Sequence, residues 1–282
     1  MTNAGYNTAA FHPGIPRRMT TLLQFDWPIL LAIVATMLLS GLVHGTLGLG
    51  FPMVATPVLA SMTDVRSAIL ITLLPTMAVN IASIANNRST LASTRPFLPL
   101  VIFTLLGSIA GAGLLAMVDP APFRILLAGL ILLYLWNGLR IPRDWLENHA
   151  LAAMILFGVC AGLSAGITNV MVAILIVYFL SLDTPRSTMV PTLNACFLSG
   201  KLMQILVLSV AGLVSPRLVL ETAPLALAAV AALWLGQRVQ PKIEVATYQA
   251  VLRKLLLVMA IVLIYQFIDE SGLLAAADSG GG

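Results

Sequence analysis

Charge is the scarcest property of this sequence: Asp, Glu, Lys and Arg make up 9% of its 282 residues, against 59% apolar. A water-soluble surface takes about a quarter charged residues, so a soluble globule is excluded and a polytopic membrane protein is implied. Cysteine is nearly absent. Cys160 and Cys196 both fall in apolar segments, which excludes a disulfide framework and leaves them as small packing residues. The net charge is only +4, and the basic residues lie mostly between apolar segments, so a nucleic acid is not an expected partner. The apolar runs also lack a deep Asp or Glu, a G-x-S-x-G elbow and an H-E-x-x-H pair. Intramembrane proteases and lipid-phosphate enzymes, the polytopic enzyme classes, need such facing groups. The chain is therefore expected not to be an enzyme and to use no cofactor and no metal.

What is present is long uncharged sequence. The 37 residues Trp27 to Thr63 carry no Asp, Glu, Lys or Arg. As one straight helix they would rise roughly 55 Å, whereas the hydrocarbon core of a bilayer is about 30 Å thick. The chain must bend, and the glycines of Gly41-Leu42-Val43-His44-Gly45-Thr46-Leu47-Gly48-Leu49-Gly50-Phe51-Pro52 are where it is expected to do so. Broken backbone at membrane depth is tolerated only against protein or a water-filled cavity, which makes the break a candidate binding site. Pro52 suits the first turn of a new helix, so a helix start is predicted at Phe51. Its free N–H groups and dipole favour an anion. Tight helix packing through small residues uses the same glycine spacing and is the competing reading.

Residues 1–26 read as a polar tail, and no small-residue cleavage site follows the first apolar run, so no signal peptide is expected. Further spans are predicted at 67–87, 96–118 and about 122–140, completing a first half over 27–140. A polar linker, 141–148, follows. The second half, 149–268, repeats the plan. The 35 residues Asn148 to Leu182 are again uncharged, Gly41 to Gly45 aligns with Gly162 to Gly166, and Asp64-Val65-Arg66-Ser67 aligns with Asp183-Thr184-Pro185-Arg186-Ser187 with one insertion. Spans at about 187–210, 217–237 and 248–268 complete it, before a flexible tail, 269–282. The fold class expected is thus an all-α polytopic membrane protein of two inverted repeats, each a broken helix pair plus three transmembrane helices. Inverted repeats with discontinuous helices at matching positions characterise transporters that hold substrate near the midplane. Counted by parity, nine Lys or Arg lie opposite the N-terminal side and five on it, which places both termini outside the cytoplasm.

Lys201 is the most informative charge. It lies near the middle of a span between Arg186 and Arg217, where a lysine is expensive and usually functional. It is the expected cation for the anionic group of a substrate; pairing with a buried acid and snorkelling are the alternatives. Asn194 and Gln204 share its span at helical spacing, and the repeat alignment brings Asn80 to the same depth. For each amide taken singly, interhelical hydrogen bonding is an equal alternative. His44 stands in the first break, where it could satisfy loosened backbone, donate to an anion or take up a proton. Gly48, Gly50 and Phe51 line that break. Thr168 and Asn169 are expected to start the second short arm, as caps that also touch ligand.

The stretch from Gly41 to Pro52, with Pro57, Thr72 and the internal duplication, resembles the sulfite exporter TauE/SafE family over residues 27 to 268. The resemblance implies a multi-pass protein of a bacterial inner membrane that moves sulfite or organosulfonates, usually outward. Its expected partners are the lipid bilayer and a small anionic substrate, with a homodimer left open. Carboxylate transport and a passive anion channel remain the alternatives.

Overall fold

A computed structural model describes residues 22–86, 88–136, 139–239 and 245–271. Among the described residues every regular element is helical. The α-helices are α1 (Trp27–Leu47), α2 (Phe51–Met62), α3 (Val65–Asn86), α4 (Leu98–Met117), α5 (Ala121–Trp136), α6 (Arg143–Asn148), α7 (Ala150–Thr168), α8 (Val172–Ser181), α9 (Arg186–Val210), α10 (Pro216–Val239) and α11 (Val245–Glu270). Six segments among the described residues are long and apolar enough to cross a membrane: α1, α3, α4 with the turns before it, α7, α9 and α10. The chain is a polytopic membrane protein. The span expected at 122–140 is shorter than predicted, since α5 ends at Trp136 after 16 residues. The start of the N-terminal tail, to residue 21, and the C-terminal tail beyond Ser271 lie outside the described residues, and within the linker 141–148 the chain forms α6.

Both expected helix breaks are present, narrower than the sequence suggested. α1 stays helical to Leu47, and only Gly48, Leu49 and Gly50 leave the helix before α2 begins at Phe51 with Pro52 in its first turn. Gly48 has φ 81° and Gly50 φ 104°, a region that costs other residues roughly 1–2 kcal/mol. Gly41 and Gly45 belong to the competing reading instead. A Cβ on Gly41 would stand 2.3 Å from the Ala229 carbonyl oxygen, and one on Gly45 2.2 Å from that of Leu233, both on α10. In the second half, Gly162 and Gly166 bring α7 equally close to α4. Small residues let the backbones touch, which supplies packing that the hydrophobic effect cannot supply in lipid.

The helices pair across the middle of the sequence. α1 packs on α10 and α7 on α4; α3 packs on α10 and α9 on α4; α2 lies against α11 and α8 against α5. α5 meets α11, and α3 meets α9. Neither sequence half contains the main packing partner of its own first helix. Arg186, at the start of α9, donates to the Leu47 carbonyl at 2.7 Å, tying the end of α1 to the second half.

Candidate functional site

Two polar knots, one at each break, are joined by α3 and α9. The first forms around Gly48. Asn194 on α9 donates from Nδ2 to the Gly48 carbonyl (3.1 Å) and to Ser83 Oγ on α3 (3.3 Å). The second forms around Asn169, which is buried and left-handed (φ 66°) at the end of α7. Its Nδ2 donates to Thr56 Oγ1 on α2 (3.2 Å) and Thr72 Oγ1 on α3 (3.1 Å), and its Oδ1 accepts from Lys201 Nζ on α9. Lys201 also donates to Gln204 Oε1. Gln204 in turn donates from Nε2 to the carbonyls of Ala165 (3.2 Å) and Gly166 (3.0 Å).

The chemistry at Lys201 follows from what surrounds it. The side chain is only 3% exposed, and among the described residues no carboxylate pairs with it. Its two hydrogen-bond partners are neutral amide oxygens. The ammonium also sits by the end of α7, whose last carbonyls carry partial negative charge that favours a cation. An ammonium has three N–H donors, so two held by Asn169 and Gln204 leave one for a ligand. A buried cation without a counter-ion, held by neutral acceptors, is a place where an anion gains more than it would in water.

The sequence expectations fare unevenly. Lys201, Asn169 and Gln204 are brought together, and Asn194 reaches the first break. Gly48 and Gly50 form that break, and Phe51 is fully buried at the start of α2. His44 is not in the break: it occupies the last turn of α1, its carbonyl accepting the Gly48 N–H at 2.7 Å. Its buried ring nitrogens have no partner among the described residues, so the imidazole does not satisfy the loosened backbone there. Thr168 and Asn169 do not open the second short arm. Thr168 ends α7, its hydroxyl donating back to the Ser164 carbonyl at 2.9 Å; Asn169 terminates α7, and α8 starts only at Val172. Asparagine serves both at helix starts and in the left-handed position after helix ends, and here the second use prevails.

Thr56 and Ser83, not singled out in the sequence, and Thr72, noted there only for the family resemblance, are the acceptors that complete both knots. A signal existed. Thr72, Thr76, Asn80 and Ser83 recur at spacings of four, four and three in an apolar span, one polar stripe along α3. Its two ends bind the breaks, while in its middle Asn80 Nδ2 donates to the Thr76 carbonyl (2.9 Å), and Asn80 Oδ1 and Thr76 Oγ1 are buried without partners among the described residues. Neither a curated protein nor a solved structure matches the chain. A family model does: that of the Sulfite exporter TauE/SafE matches residues 23–266, from just before α1 to near the end of α11, taking in both breaks and Lys201, and the chain belongs to that family.

Proposed function

We propose that the chain is a secondary transporter of a small sulfur-containing anion such as sulfite or an organosulfonate, working outward across a bacterial inner membrane. Its two halves, 27–140 and 149–268, act as inverted repeats. Helix pairing supports this: exchanging α1 with α7, α2 with α8, α3 with α9, α4 with α10 and α5 with α11 leaves every pairing described above unchanged. Such repeats hold substrate near the midplane and expose it alternately by rocking. The observation that carries the anion reading is Lys201, a buried ammonium held by neutral amides next to a helix break, with a donor to spare. Asn169 and Gln204 orient it, and the first-turn N–H groups of α2 behind Phe51 add a second positive end. Family membership supports the sulfur oxyanion over other anions.

Uptake of sulfite into proteoliposomes tests the reading, with sulfoacetate, taurine and simple carboxylates as competitors. Saturable sulfite flux, competed only weakly by simple carboxylates, is expected. Flux linear in concentration would make the protein a channel, and stronger competition by carboxylates would replace the substrate class.

A further inference from the structure

Several polar atoms on the helices that meet at the first break are buried and have no partner among the described residues: Ser40 Oγ and both ring nitrogens of His44 on α1, Thr76 Oγ1 and Asn80 Oδ1 on α3, and Asn194 Oδ1 on α9. Buried polar atoms are nearly always satisfied, by protein, water or ligand. Asn194, His44 and Asn80 flank one bridge. Asn194 joins Gly48 to Ser83; His44 is about one helical turn before Gly48, and Asn80 about one turn before Ser83. All five residues are at most 5% exposed.

The two amide oxygens differ from the rest in chemistry. A hydroxyl or a neutral imidazole can donate or accept, but an amide oxygen only accepts. Nor can these amides be turned round. Asn194 Nδ2 faces the Gly48 carbonyl and Asn80 Nδ2 faces the Thr76 carbonyl, so a flip would set oxygen against oxygen. Asn80 Oδ1 and Asn194 Oδ1 therefore demand donors. The hydroxyls of Ser40 and Thr76 and the one N–H of neutral His44 are free to meet a ligand's oxygens.

We infer that the transported anion carries a hydrogen-bond donor of its own: the site takes a monoanion bearing an O–H or N–H group and disfavours oxyanions that can only accept. The inference rests on the anion-transport reading above and sharpens its substrate class. Hydrogensulfite, hydroxysulfonates and sulfamate meet the requirement; sulfate and plain alkylsulfonates leave the amide oxygens unsatisfied. Specificity of this kind is strong because the analogue lacking the donor strands buried polar groups of the protein.

Sulfamate and methanesulfonate provide the test, since both are tetrahedral monoanions of similar size that differ by NH2 against CH3. Their half-saturating concentrations are read from thermal stabilisation of the full chain in detergent, for wild type, Asn80→Leu and Lys201→Met. Sulfamate is expected to act at a concentration roughly tenfold or more below methanesulfonate in wild type, with the gap closing in Asn80→Leu. Asn80→Ser, a smaller change, serves if Asn80→Leu does not fold. Equal action of the two anions on wild type, with both weakened in Lys201→Met, overturns the donor requirement and leaves the anion site standing. A gap that persists unchanged in the Asn80 variant overturns the assignment to that amide. No stabilisation by either anion or by sulfite in wild type overturns the anion-transport reading, and this inference with it.

Discussion

Lys201→Met is expected to fold and insert with little change in stability while anion affinity falls roughly ten- to hundredfold. Two stability effects oppose one another. Removing the ammonium leaves Asn169 Oδ1 and Gln204 Oε1 without their donor, and a stranded buried acceptor costs about 1–3 kcal/mol. Against this, a lysine at the middle of a span itself costs about 2.5–3.5 kcal/mol on insertion scales, which Met relieves at similar length. Affinity has no such compensation, because a hydrogen bond to a charged group contributes about 1.5–3 kcal/mol and the spare N–H is the group offered. Melting with and without sulfite separates the two quantities. A variant stabilised by the same sulfite concentrations as wild type would remove Lys201 from the site and leave the anion to the helix N-termini. Asn169→Gly is a useful companion, since glycine accepts the left-handed φ of 66° while deleting the amide that holds the ammonium. Its affinity is expected to lie between those of wild type and Lys201→Met.

The reason Lys201 was legible in the sequence is that burying an isolated charge is costly, so its presence inside an apolar run already demands an explanation. The breaks were legible for a similar reason: 37 uncharged residues cannot cross a 30 Å core in one straight helix. Which glycines do the breaking was not legible. Gly41, Gly45, Gly48 and Gly50 are chemically identical, and they separate into packing and breaking glycines only through what lies opposite. Ala229 and Leu233 stand against the first two from a helix far along the chain, and no local pattern encodes that. Asn169 illustrates the same limit. Its side chain would suit a helix start, yet the turn places it after α7, where it reaches Thr56, Thr72 and Lys201 on three other elements. Pairwise contacts of this range follow from how α7 seats on α4, which is also where the structure is least forgiving.

Gly162→Ala is expected to be strongly destabilising. The added Cβ would stand 2.1 Å from the Thr104 carbonyl oxygen and 2.8 Å from the Ser108 nitrogen, far inside contact distance. Both are backbone atoms of a packed helix, with no side chain able to rotate away, so α7 and α4 must separate. Overpacking costs typically 1–3 kcal/mol, and a contact this short against rigid backbone belongs at or above the upper end. Gly113→Ala on α4 and Gly129→Ala on α5 are the controls. A Cβ at either meets nothing within 4 Å, so both are expected to be neutral or stabilised by up to about 1 kcal/mol, as helical glycine-to-alanine changes usually are. Thermal unfolding in detergent orders the three. The displacement also reaches the site. Ser108 Oγ donates to the Gly200 carbonyl at 2.8 Å, next to Lys201, and the Ala165 and Gly166 carbonyls that hold Gln204 lie one turn beyond Gly162 on α7. Separating α7 from α4 pulls these anchors away from α9, so Gly162→Ala should weaken sulfite stabilisation in the fraction that still folds. If Gly162→Ala instead melts with Gly113→Ala, the backbone contact between α4 and α7 is looser than described, and Asn169 is not positioned against Lys201 by that contact.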